Sequence, residues 1–154
     1  MPRSTVALCA TYLLLLRATA MSAQDSSYDE NALRVESRLG DLQIVRGIEG
    51  TVVARAGVFH GPKVVNLVSR SEKAIAEAKV FERDYEPGQY AAALGIATLG
   101  AAIGASRIHD INSAIPSGLT AASFLLIAYG GSRLESAYRA LSRAIWWYNR
   151  DLKR

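Results

Sequence analysis

The chain has 154 residues, half of them apolar and 21% charged, with a net charge of +4 and a single cysteine. That length holds one compact domain at most, and one cysteine excludes an internal disulfide framework or a thiolate metal cluster. The apolar share exceeds that of most soluble domains of this size, which turns attention to where contiguous apolar surface lies.

Residues 1–23 read as an export signal: Arg3 in a basic start, an apolar stretch from Val6 to Leu16, then small residues. Ala18-Thr19-Ala20 fits the small-x-small cleavage rule, and a cut after Ala23 is the second option. The apolar stretch is short for a membrane span, which needs about 20 residues. Cys9 would leave with this segment.

Residues 24–87 form the expected exported part. After a polar opening, Ala32, Val35, Leu39 and Leu42 recur at helical spacing, which predicts a short amphipathic helix over 31–42. Glycines then come too often for one helix to continue. The β-branched stretches Gln43–Val45 and Thr51–Ala54 between them predict a small β-hairpin, with a glycine-lined helix face as the competing reading. Pro62 can open a helix carrying Val64, Leu67 and Val68. Ser69 with Glu72, or Ser71 alone, can cap a fresh helix with an apolar stripe at Ala74, Ile75, Ala78, Phe81 and Tyr85. Glu86-Pro87-Gly88 is expected to end or bend it.

Residues 88–131 hold two apolar runs, 90–106 and 115–131, free of charge and joined by a polar turn. They predict a hairpin of two transmembrane helices. In the first run Ala93, Ala97, Ala101 and Ala105 repeat every four residues beside Gly95, Gly100 and Gly104. A face this smooth lets helix backbones approach closely, which is how helices attract one another in lipid. Gly95, Ala97, Gly100, Ala101, Gly104 and Ala105 are therefore the expected helix-packing residues.

Residues 132–154 predict a separate amphipathic helix, with Leu134, Tyr138, Leu141, Ile145, Tyr148 and Leu152 on a heptad stripe. Its polar side is basic. Residues 24–89 carry nine basic and eleven acidic groups, whereas 107–154 carry seven basic and three acidic. Such a tail beside an apolar hairpin suits anionic lipid headgroups better than nucleic acid. Arg139, Arg143, Trp146, Trp147, Tyr148 and Arg150 are the expected membrane-interface residues, packing of the aromatics on the preceding amphipathic helix being the alternative.

No catalytic, cofactor or metal constellation stands out. His60 and His109 have no carboxylate or histidine at i+4, and no Gly-x-Ser-x-Gly occurs. Gly57 to Lys63 has some glycine-loop character but lacks the phosphate-loop spacing and the following Ser/Thr. Glu82 and Asp84 lie on a heavily charged helix face and are expected to be solvated. His109-Asp110 reads as a polar cap to the hairpin.

Leu141-Ser-Arg-Ala144-Ile145-Trp-Trp-Tyr148-Asn149, following a two-span Gly/Ala-rich hairpin and the Glu72-to-Tyr85 helix, resembles the closing segment of a set of bacterial exported membrane proteins. The likeness covers roughly residues 60–150. It implies fold and location only, and transfers no activity or functional residue. A weaker resemblance, to glycine-zipper envelope proteins, departs where their glycine repeat is mostly alanine here. The expectation is thus a mainly α, non-enzymatic envelope membrane protein acting as an assembly or accessory subunit. Its partners would be membrane lipids and a further copy or another envelope protein, with no cofactor. A pore-forming or membrane-perturbing homo-oligomer and a soluble exported binding protein are the alternatives.

Overall fold

The computed structural model describes residues 28–38, 41–57, 60–108 and 112–153; residues 1–23, expected to be an export signal, residues 24–27 and the turn residues His109 and Asp110 lie outside them. In order come strands β1 (Leu33–Arg38), β2 (Asp41–Arg46) and β3 (Thr51–Ala56), a short helix α1 (Val64–Leu67), and long helices α2 (Glu72–Ala105) and α3 (Ala114–Leu152). The fold is mainly helical, with one three-stranded antiparallel sheet in the order β1-β2-β3.

The helix expected over 31–42 does not form. One helical turn over 28–31 gives way at Ala32, and β1 follows. Pairing rather than periodicity decides there, since Val35, on the face of Leu33, is exposed. Leu33 is buried, while Arg34 and Glu36 share the other face and pair at 2.9 Å. Pairing with β2, Leu33 opposite Arg46 through Arg38 opposite Asp41, satisfies the backbone that a helix would otherwise have satisfied. The expected β-hairpin is present as β2 and β3, with an irregularity at Ile44/Val45. Its turn needs glycine: Gly47 and Gly50 both sit at φ +70°, and a Cβ on Gly47 would lie 2.7 Å from the Glu30 carbonyl.

At the outer edge of β1 its first residue is met by a side chain rather than a strand. Leu33 N donates to Asn149 Oδ1 at 2.8 Å, and Asn149 Nδ2 donates to Leu33 O at 2.7 Å. One amide thus pairs the first residue of that edge and fixes the sheet to the end of α3. Tyr148 beside it is buried in the core.

Ser71 caps α2, accepting from Ala74 N at 3.3 Å and donating from Oγ to Asp151 Oδ2 at 2.6 Å. The predicted break at Glu86-Pro87-Gly88 is absent, and α2 runs through all three residues. Pro87 lies on the exposed side, where its missing N–H leaves only the Arg83 carbonyl without its helical donor. Gly88 faces inward against α3, where a Cβ would come within 3.0 Å of Leu134 Cγ. In the same way α3 continues through Gly130-Gly131, so the hairpin and the closing amphipathic segment are one helix. Packing across the seam outweighs the local breaking tendency of these residues.

That seam has a seven-residue repeat. On α2 the buried positions include Ala74, Phe81, Gly88, Gly95 and Ala102; on α3 they include Ser123, Gly130, Ala137 and Ala144. Spacing by sevens keeps one face of each helix on its partner as they wind together. Small residues at most of these positions bring the backbones close. A Cβ on Gly130 would lie 2.6 Å from Ala92 N and 2.8 Å from Gly88 O.

The core gathers at one end. Leu33, Ile44 and Ala56 of the sheet join Val64 and Val68 around α1, then Ala74, Ala78, Phe81 and Tyr85 of α2 and Leu141, Ile145 and Tyr148 of α3. The segment after β3 is tied to α2: Glu82 Oε1 accepts from Val65 N at 3.0 Å, Glu86 Oε1 accepts from Gly61 N, and Tyr85 donates to Gly57 O. Beyond this base the two helices continue as a bare pair.

Candidate functional site

The bare pair consists of residues 90–105 of α2 and 114–131 of α3, with no Asp, Glu, Lys or Arg in either stretch. Both helices are long and apolar enough to cross a membrane, and only 17% and 11% of their most apolar 18-residue windows are buried. The seam takes the small residues, which leaves the large ones outside: Leu125 is 73% exposed, Ile96 66% and Phe124 62%. Leu94, Ile103 and Ile115 are exposed as well. This is the reverse of a soluble helix pair, whose large apolar side chains would fill the seam.

The serine and threonine hydroxyls of this region are all satisfied within their own helix. Thr98 donates to Leu94 O at 2.8 Å, Ser117 to Ser113 O at 2.9 Å, Thr120 to Pro116 O at 2.8 Å and Ser123 to Thr120 O at 2.7 Å. Such back-bonding leaves none of these hydroxyl protons needing water.

Of the expected packing residues, Gly95 alone sits in the seam, where a Cβ would meet Ile127 Cγ1 at 2.7 Å. Gly100 and Gly104 have nothing within 4 Å of an added Cβ, and Ala97 and Ala101 are exposed; Ala105 is partly covered. The four-residue ladder is real in sequence, but it lies beside the contact face. The seven-residue series through Gly88, Gly95 and Ala102 makes the contact, and it was visible once Gly88 was read with the hairpin rather than as a stop.

The expected interface residues lie at the base. Tyr148 is buried, which removes it from any lipid surface. Trp147 is half-buried, with Lys73 Nζ 4.5 Å and the Arg150 guanidinium 3.9 Å from its ring centroid. Trp146 is exposed and stands edge-on to Trp147 at 4.7 Å. Arg143 pairs with Glu77 at 3.1 Å, Arg139 with Glu135 one turn away, and Arg150 with Asp151. Trp146 is fifteen residues past Gly131, or about 22 Å along the axis at 1.5 Å per residue.

Between the base and the bare pair lies a charged node that the sequence reading missed. Asp84 is buried rather than solvated. Its carboxylate accepts from Arg83 Nε at 2.8 Å and Nη2 at 3.1 Å, from Arg133 Nη1 at 2.7 Å and from Ser136 Oγ at 2.9 Å. The signal was its register: Asp84 is three residues after Phe81 and four before Gly88, on the inward stripe. The Arg83 hydrogen bond is the largest influence on the Asp84 carboxyl; burial, the next, opposes it, and the Ser136 and Arg133 hydrogen bonds with the Arg83 charge leave the carboxyl far below the usual carboxylate range. A depressed folded-state value means the ionised group stabilises the fold above the unfolded value near 4, and that stabilisation is lost as pH falls below it. Asp84→Asn is therefore expected to lower unfolding free energy at pH 7 by about 2 kcal/mol. The gap from wild type should close as the pH of the denaturant titration drops below about 4. An equal gap at pH 7 and pH 3 would contradict the ionic account. Both arginines keep water contact, so the loss stays below that of a fully buried ion pair.

Among the described residues no three His, Cys, Asp or Glu side chains converge as a metal site. No protein-family model, curated protein or solved structure matches the chain.

Proposed function

We propose that the protein is a non-enzymatic integral membrane protein of the cell envelope. The bare helix pair inserts in lipid, and the sheet-bearing base stands outside the cytoplasm as the contact surface of an assembly or accessory subunit. The observation that carries this reading is the inverted pair: small residues inside, large apolar residues outside, no charge, and serine and threonine hydroxyls satisfied within the helix. In water that arrangement exposes the surface the hydrophobic effect would most strongly remove. In lipid the same exposure carries no penalty, and close backbone approach at Gly88, Gly95 and Gly130 supplies the attraction between helices. A soluble binding protein that hides these runs in its own core is disfavoured by how little of them is covered.

Alkaline carbonate extraction of membranes from cells making the full chain is the test, and the protein is expected to stay in the pellet. Leu94→Asp with Leu125→Asp should release it, since each charge at mid-helix adds about 2.5–3.5 kcal/mol to insertion. Wild-type protein recovered as a freely soluble monomer would refute the reading.

A further inference from the structure

If the helix pair lies in lipid, its depth can be read from the residues that end the apolar stretch. Tyr90 is 54% exposed and Tyr129 48% exposed. The antiparallel contacts that set Gly130 against Gly88 and Ala92 put these two tyrosines within two residues of one level, about 3 Å along the axis. On the hairpin side of that level neither helix carries a charge; on the base side come Arg133, four residues away, and the Asp84 node. The Arg133 guanidinium lies 5.3 Å from the Tyr129 ring centroid, leaning toward the apolar side while one nitrogen stays on Asp84. Its side chain keeps 37% exposure, and the two arginines around one carboxylate leave the node net positive.

Resting on the membrane reading above, we propose that Tyr90, Tyr129 and Arg133 form the ring at which the hairpin meets the lipid headgroups, with Arg133 facing their phosphates. Tyrosine rings are amphipathic and favour that layer, and an arginine one turn further out lies about 6 Å away, within the thickness of the headgroup region. From this ring to Ala105 and Ala114 the helices extend about 22 Å, a short span that is met by local thinning of the bilayer. The polar turn then reaches the opposite face. Trp146 and Trp147 stand about 25 Å from the ring on the other side, clear of the bilayer.

Depth-dependent fluorescence quenching tests this with the full chain in vesicles of phosphatidylcholine, with or without one part phosphatidylglycerol, carrying bromine at shallow or deep acyl positions. Single tryptophans are placed by Tyr90→Trp, Tyr129→Trp or Leu125→Trp in a Trp146→Phe, Trp147→Phe background. Leu125→Trp should be quenched best by deep bromine, and Tyr90→Trp and Tyr129→Trp by shallow bromine. The native tryptophans of the unaltered chain should be quenched by neither, and by aqueous iodide instead. Deep quenching at positions 90 and 129, or lipid quenching of the native pair, would overturn the assigned depth while leaving insertion intact. No lipid quenching at position 125 would sink insertion itself. Arg133→Gln should reduce the preference for the anionic vesicles about fivefold in flotation, the effect of one basic group at a charged surface. Arg133→Lys, which keeps a cation for Asp84, should retain it. An unchanged preference in Arg133→Gln, or loss of it in Arg133→Lys, would overturn the role given to Arg133.

Discussion

Phe81→Ala is expected to lower the unfolding free energy by about 3–5 kcal/mol, the range for emptying a fully buried aromatic site. Phe81 is wholly inaccessible, lies on the seven-residue seam, and stacks on Tyr85 at 5.1 Å between centroids. It stands where sheet, α1 and both long helices meet, so no neighbour can collapse into the gap without moving an entire element. The measurement is chemical denaturation in detergent micelles, followed by hydrogen exchange of the β2 and β3 amides. The sheet should lose its protection, while the hairpin amides beyond Gly95 keep theirs, because they lie beyond this core. A loss below 1 kcal/mol would mean that the base does not share one core.

Gly130→Leu should cost about 3 kcal/mol or slightly more, at the upper end of the overpacking range. The atoms that a Cβ would strike, Ala92 N at 2.6 Å and Gly88 O at 2.8 Å, are backbone, so no flexible side chain can yield. The two helices would have to part along their length. Gly100→Leu with Gly104→Leu is the matched control and should leave the melting of the isolated monomer unchanged or raise it. Open space surrounds both positions, and leucine is the better helix former by about 0.8 kcal/mol per residue. This reverses the expectation from sequence, where the Gly100/Gly104 face looked like the hairpin contact. If the control pair destabilised the monomer as strongly as Gly130→Leu, the described seam would be wrong.

What could be read from sequence was the gross arrangement. The two apolar runs, the cap at Ser71, the stripe through Ala74, Ala78, Phe81 and Tyr85, and the β2–β3 hairpin all follow from local pattern, and all are present. What could not be read depended on contacts distant in sequence. β1 is held by β2 on one side and by Asn149, 116 residues away, on the other. Pro87-Gly88 and Gly130-Gly131 carry strong local stop signals, yet Gly88 and Gly130 are where the opposite helix passes close, while Gly131 faces open space. Asp84 looked solvated because its own helix is rich in charge; its burial comes from Arg133 and Ser136 on the other one. Trp146 and Trp147 could be read from sequence as a lipid anchor or as packing on the preceding helix; the structure sets the Trp147 ring 4.5 Å from Lys73 Nζ and leaves Trp146 exposed.

The absence of any joint between base and hairpin has a mechanical result. Helices of 34 and 39 residues run from Ser71 and Asp151 to the polar turn as one stiff lever about 50 Å long. If the arm is inserted as proposed, any tilt it takes in the bilayer is imposed on the sheet, because no pivot stands at Pro87 or Gly131. Conversely, whatever grips the sheet would, on that reading, tilt the arm.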